Sequence, residues 1–181
     1  MEVTMPSEQE KTIDGLKYAI QMEIDGKVLY LKSSQESGNE LGRKLLESLA
    51  QAEDYHRITF EKIFATFSKK QGWPVVDFKV DGGRTQRTVF AKELTKKPSQ
   101  IKPMKFEFDA VQRGQELEAK SYDFYHKRSE QAESSAEREF YELIAAEERE
   151  HQLVLNDYAE FLKNPSGWFV KTEKPSLDGS T

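Results

Sequence analysis

Two copies of one pattern, Glu-x29-Glu-x2-His, constrain this chain more than any other feature. Glu23, Glu53 and His56 form the first copy, and Glu118, Glu148 and His151 form the second, each displaced by 95 residues. The sequence contains three histidines, and two of them occupy these positions. The same displacement carries Tyr30 onto Tyr125, Arg43 onto Arg138, Leu49 onto Ile144 and Ala50 onto Ala145. The matches gather at polar positions lying on otherwise apolar faces, which a shared hydrophobic pattern alone would not preserve. Duplication of a helical hairpin accounts for them.

The helices follow from periodicity and capping. Ser7 with Glu10 makes a capping box. From there Ile13, Leu16, Ile20, Glu23, Tyr30 and Ser34 share a stripe. The turn "ESGNE" (Glu36–Glu40) supplies Asn39 as the cap of a second helix, whose stripe is Leu46, Leu49, Glu53, His56, Phe60, Ile63 and Phe67. Asp109 with Gln112 is the expected cap of a third helix, which carries Val111, Glu118, Tyr122, Tyr125 and Ser129. Ser134 and Glu137 cap a fourth, with Tyr141, Ile144, Glu148, His151, Leu155, Tyr158 and Leu162 on one face. "NPSG" (Asn164–Gly167) ends it. The expected organisation is an all-α bundle over residues 1–163 and a tail over 164–181. Trp168 and Phe169 in that tail are expected to fold back on the bundle. Between the second and third helices lies a crossover of about residues 68–108. A small β-hairpin is one reading of the pieces flanking its "DGG" turn (Asp81–Gly83), such as "VVDFKV".

Thirty residues separate Glu23 from Glu53, and thirty separate Glu118 from Glu148. In an antiparallel hairpin rising ~1.5 Å per residue, such a spacing returns both carboxylates to one height. Each histidine lies one turn beyond its glutamate on the same face. Four carboxylates and two imidazoles therefore converge at mid-bundle. Buried without a cation, four carboxylates would cost several kcal/mol each or shift until protonated. Two histidines cannot neutralise four glutamates, whereas two divalent cations can. One Glu from each of two helices, with Glu-x-x-His from each of the other two, is the ligand plan of dinuclear carboxylate bundles. His126 has no mate in the repeat and reads as a surface or packing residue. Glu147 and Glu150 match Ala52 and Tyr55, and read as exposed or as partners behind the ligands.

Composition removes competing chemistries. Acidic residues exceed basic ones by five, so nothing global favours nucleic acid or an anionic membrane. The absence of cysteine excludes disulfides and thiolate-bound zinc or iron–sulfur centres within this sequence. No apolar run reaches membrane-spanning length, and "MEVTMPSEQEKT" does not read as a signal peptide. The expectation is a soluble cytoplasmic protein without nucleic-acid or membrane partners.

At these residues the chain resembles the rubrerythrin branch of the ferritin-like superfamily, over roughly 8–67 and 109–163. The resemblance implies a ferritin-like four-helix bundle with a long crossover between helices 2 and 3. It implies two iron ions, or two manganese ions, with Glu53 and Glu148 bridging. Glu23 with His56, and Glu118 with His151, would complete the two ends. Tyr30 and Tyr125 match tyrosines that the family hydrogen-bonds near its carboxylates; the alternative is core aromatics with a wet hydroxyl. The implied activity is reduction of hydrogen peroxide by a di-iron oxidoreductase. Its alternatives are a ferroxidase acting with dioxygen, a di-manganese catalase, or a metal-stabilised structural or coat bundle. Two departures matter. The rubredoxin domain of rubrerythrins carries four cysteines that are absent here, so an external donor such as a rubredoxin-type protein is expected. An extra family glutamate, one turn after the third-helix ligand, is Ser121 here. A homodimer or larger homo-oligomer is what the resemblance implies.

Overall fold

A computed structural model describes residues 7–69, 71–96, 103–166 and 168. It contains α1 (Glu8–Glu36), α2 (Glu40–Phe67), α3 (Arg84–Leu94), α4 (Lys105–Glu130) and α5 (Ser135–Lys163), and no strand among the described residues. The chain is all-α, as its periodicity requires.

Local chemistry sets the helix ends. Ser7 and Glu10 form the reciprocal capping box at α1. At α2, Asn39 Oδ1 accepts the Gly42 N–H at 2.7 Å. At α5, Ser134 Oγ accepts the Glu137 N–H at 3.1 Å, while the Glu137 carboxylate reaches the Glu133 N–H at 3.3 Å. The start of α4 differs from the expected Asp109 cap by one turn. Glu107 accepts the Met104 N–H at 2.9 Å, and Ser37 Oγ donates to the same carboxylate at 2.9 Å. Asn39 Nδ2 donates to it as well. A long-range cluster, invisible to a local reading, therefore begins the helix earlier.

That cluster also fixes topology. It joins the α1–α2 turn to the N-terminus of α4, so α2 and α4 begin at one end and run parallel. Packed pairs α1–α2 and α4–α5 form the two hairpins, and α1 meets α4 as α2 meets α5. The crossover must travel the bundle's length, roughly 40 Å for a helix of this size. Trp73, Val76 and Phe78 pack at one end of the bundle, and Phe90 and Leu94 pack at the other.

The hairpin reading of the crossover is wrong. Gly82 and Gly83 do adopt positive φ, 63° and 67°, but the turn leads into α3. Asp81 Oδ2 accepts the Thr85 N–H at 2.7 Å and so supports the first turn of that helix. Gln86, Phe90 and Glu93 then fall at helical spacing and are buried. The "VVDFKV" piece is extended but unpaired: Val75 is 94% exposed, while Val76 and Phe78 turn inward. Alternation was legible there, but no partner strand lies beside it among the described residues. Trp168 does fold back, edge-on to Phe90 and Phe161; Phe169 lies outside the described residues.

Two apolar layers fill the bundle. One gathers Tyr30, Leu45, Leu49, Val111, Leu155 and Phe161. The other gathers Leu16, Met22, Phe60, Ile63, Tyr141 and Ile144. Between them lies a polar layer.

Candidate metal centre

Six side chains make that layer, and they are the six that the repeat selects. Glu23, Glu53, Glu118 and Glu148 are at most 2% exposed, as are His56 and His151. One from α1, two from α2, one from α4 and two from α5, they form two overlapping groups of four. Glu23, Glu53, His56 and Glu148 offer ligand atoms within 4.8 Å of one another, and so do Glu53, Glu118, Glu148 and His151. Glu53 and Glu148 belong to both groups.

The shorter contact of each histidine crosses between hairpins. His56 Nδ1 lies 3.1 Å from Glu148 and 3.4 Å from Glu23. His151 Nδ1 lies 3.2 Å from Glu53 and 3.8 Å from Glu118. The two imidazoles stack, centroids 5.6 Å apart and planes inclined by 18°. Tyr30 on α1 donates its hydroxyl to Glu118 on α4, and Tyr125 on α4 donates to Glu23 on α1. Each tyrosine thus orients a carboxylate of the opposite hairpin. Spacing placed both tyrosines on the inner face but could not say which hairpin they would reach.

Electrostatics show what this layer lacks. Burial, and then the charges of Glu118 and Glu23, push the Glu53 carboxyl well above its ordinary range. Burial, followed by the charges of Glu53, Glu118 and Glu23, does the same to Glu148. Burial opposes the charged form of Glu118 too, but the neighbouring His151 imidazole and Glu148 carboxyl, with the Tyr30 hydroxyl, hold that group low. For His151, burial favours the neutral ring, yet Glu118 and Glu53 raise its pKa well above the usual value. Burial and the adjacent carboxylates raise both tyrosines well above theirs, which keeps the hydroxyls protonated as donors.

The donor set fits metal ions on a geometric test. Glu23 Oε2, Glu53 Oε1, Glu118 Oε2, both oxygens of Glu148 and the Nδ1 of each histidine are buried without a hydrogen-bond partner. So many orphaned acceptors in one place are rare in native interiors. A pair of cations would satisfy them together, and oxygen with imidazole nitrogen suits first-row metals.

Several neighbours escaped sequence reasoning. A Cβ on Gly26 would lie 2.7 Å from Glu53 Oε2, so a bare backbone is what admits the carboxylate. Gly114 does the same for Tyr30, whose Cε1 and hydroxyl would lie 3.0 and 3.2 Å from an added Cβ. Glycine inside a long helix costs ~1 kcal/mol, and that was the available signal. Glu147 is 3% exposed and accepts the Gly82 N–H at 2.7 Å. Glu150 is half-buried and pairs with Arg87. His126 is exposed, stacked on Tyr122 and outside the layer.

The family model for rubrerythrin matches residues 14–159. No curated protein and no solved structure matches the chain.

Proposed function

The chain belongs to the rubrerythrin family, and from that premise we propose a di-iron carboxylate oxidoreductase that reduces hydrogen peroxide to water. The observation carrying this reading is the pair of overlapping Glu/His groups that share Glu53 and Glu148. Two iron ions in those groups would supply the electron pair that splits the O–O bond, and open positions where peroxide is taken up. The balance is one hydrogen peroxide, two electrons and two protons giving two waters.

The chain's residues supply position and environment. Glu53 and Glu148, common to both groups, would hold the ions as neighbours; Glu23 with His56 and Glu118 with His151 would close the ends. Tyr30 and Tyr125 hold the end carboxylates in one orientation, and such supporting hydrogen bonds typically matter 10- to 100-fold for metal affinity, as an order of magnitude. The apolar layers on either side keep bulk water out and strengthen every charge interaction between them. Without cysteine, the sequence holds no thiolate iron centre of its own, so electrons would come from a separate donor protein of rubredoxin type.

Elemental analysis of the protein from its native host is expected to give about two irons per chain, following the dinuclear ligand plan. Anaerobic titration of the reduced protein is expected to end at about one peroxide per chain, as the two-electron balance requires. Glu53→Ala and Glu148→Ala are each expected to abolish both. A loaded, reduced protein indifferent to peroxide sinks the proposal. Faster oxidation by dioxygen, with iron released, would establish iron oxidation as the function instead.

A further inference from the structure

The repeat gives the layer near-twofold symmetry, and the crossover breaks it. A cavity of about 240 Å³ lies against His56, with α2 and Glu147 of α5 on its inner side and Lys79, Asp81 and Gln86 of the crossover on its outer side. His56 Nδ1 faces Glu23 and Glu148, so the far side of the ring is left to the cavity. His151, its repeat mate, is wholly enclosed, with both ring nitrogens buried and unpartnered.

Two groups of the cavity wall are placed to accept hydrogen bonds. Gln86 is 3% exposed, and its Nε2 donates to the Ser48 carbonyl at 3.4 Å. That carbonyl can only accept, so the amide orientation is fixed and Oε1 remains buried without a partner. Across from it stands the buried Glu147 carboxylate, held by the Gly82 N–H at 2.7 Å. A molecule between these groups must bring its own donors. Glu147 and Asp81 outnumber Lys79 among the charged groups of the wall, so their balance disfavours an anion. At about 30 Å³ per water, the space holds several water-sized molecules.

We propose that this cavity is an inlet to the metal layer, and that Gln86 Oε1 and Glu147 seat hydrogen peroxide there before it passes along His56. Neutral, small and carrying two O–H donors, peroxide suits these two acceptors; superoxide, charged and without a proton to give, does not. Ala52, at the repeat mate of Glu147, leaves the space open. The identity of the molecule rests on the peroxide-reducing function above, whereas the inlet does not.

Two arms separate these claims. In the first, chelated full-length protein is treated with diethyl pyrocarbonate, and the three histidines are followed by peptide mass spectrometry. His126, its side chain 56% exposed, is the internal standard. Acylation of His56 but not of His151 is expected, and Ala52→Phe, or the smaller Ala52→Leu if the first misfolds, is expected to slow His56 at least ~10-fold at an unchanged His126 rate. Equal labelling of His56 and His151, an unlabelled His56, or indifference to both plugs overturns the inlet. No metal or peroxide takes part, so this result stands even if the peroxidase reading fails. In the second arm, reduced iron-loaded Gln86→Leu is mixed with peroxide by stopped flow. Loss of one seating hydrogen bond is expected to lower the second-order rate constant about 3- to 10-fold, with iron content and His56 labelling unchanged. A rate constant equal to the parent's overturns the seat.

Discussion

A Cβ built on Gly26 would lie 2.7 Å from Glu53 Oε2 and 3.2 Å from Leu117 Cδ2. Gly26 also interrupts the interior of α1, where alanine is favoured by ~1 kcal/mol. Gly26→Ala therefore separates stability from binding. The metal-free variant is expected to melt no lower than the parent, while iron affinity falls at least ~10-fold because Glu53 must swing aside. Chelator competition with parallel melting curves checks this, and parent-like affinity would show that Glu53 has room to spare. The contrast with the six candidate ligands explains what was legible at this scale. Their helical spacing and their repetition lie in one dimension, so the sequence displays them. The Gly26–Glu53 approach, the crossing of Tyr30 to Glu118, and the Gln86–Ser48 bond are contacts between elements. No local period encodes them.

Among elements, helix starts governed by an adjacent cap were legible, and those governed by distant partners were not. Asn39 caps α2 as its position implied. Glu107 caps α4 only because the α1–α2 turn delivers Ser37 and Asn39 to the same carboxylate. The Asp81–Gly83 turn misled because positive φ at two successive glycines suits a hairpin and a helix entrance equally; what decides is that Gln86, Phe90 and Glu93 find buried places on the bundle. Glu107 serves three donors from two elements. Glu107→Ala is expected to lower unfolding stability by about 1–3 kcal/mol, since it strands part-buried donors from two segments. Glu107→Gln, with one carbonyl oxygen in place of two acceptors, should lose less. Urea unfolding at fixed metal content measures both, and a loss under about 0.5 kcal/mol for alanine would mean that water replaces the carboxylate.

For the whole molecule, the layered bundle implies a stability that depends on both protons and metal. In the metal-free protein, Glu53 and Glu148 stand well above the ordinary glutamate value of 4.5, and His151 stands well above 6.5. The native state then binds more protons than the unfolded chain over the interval between ordinary and raised values. Stability drawn from those protons is complete below pH 4.5 for the glutamates and below 6.5 for His151, and it is lost as pH rises through the raised values. Glu118, held low, contributes in the opposite sense, but its contribution changes only below 4.5. Bound metal would reverse the trend, because it needs its ligands deprotonated and its affinity grows as protons leave. Melting temperatures of chelated and iron-loaded protein, compared from pH 5.5 to 8.5, are expected to diverge steadily, the chelated form falling and the loaded form holding. A constant gap across that range would mean that these carboxylates and His151 do not give up protons to metal. In that event the four buried glutamates would need another source of neutralising charge, and among the described residues no lysine or arginine is paired with any of them.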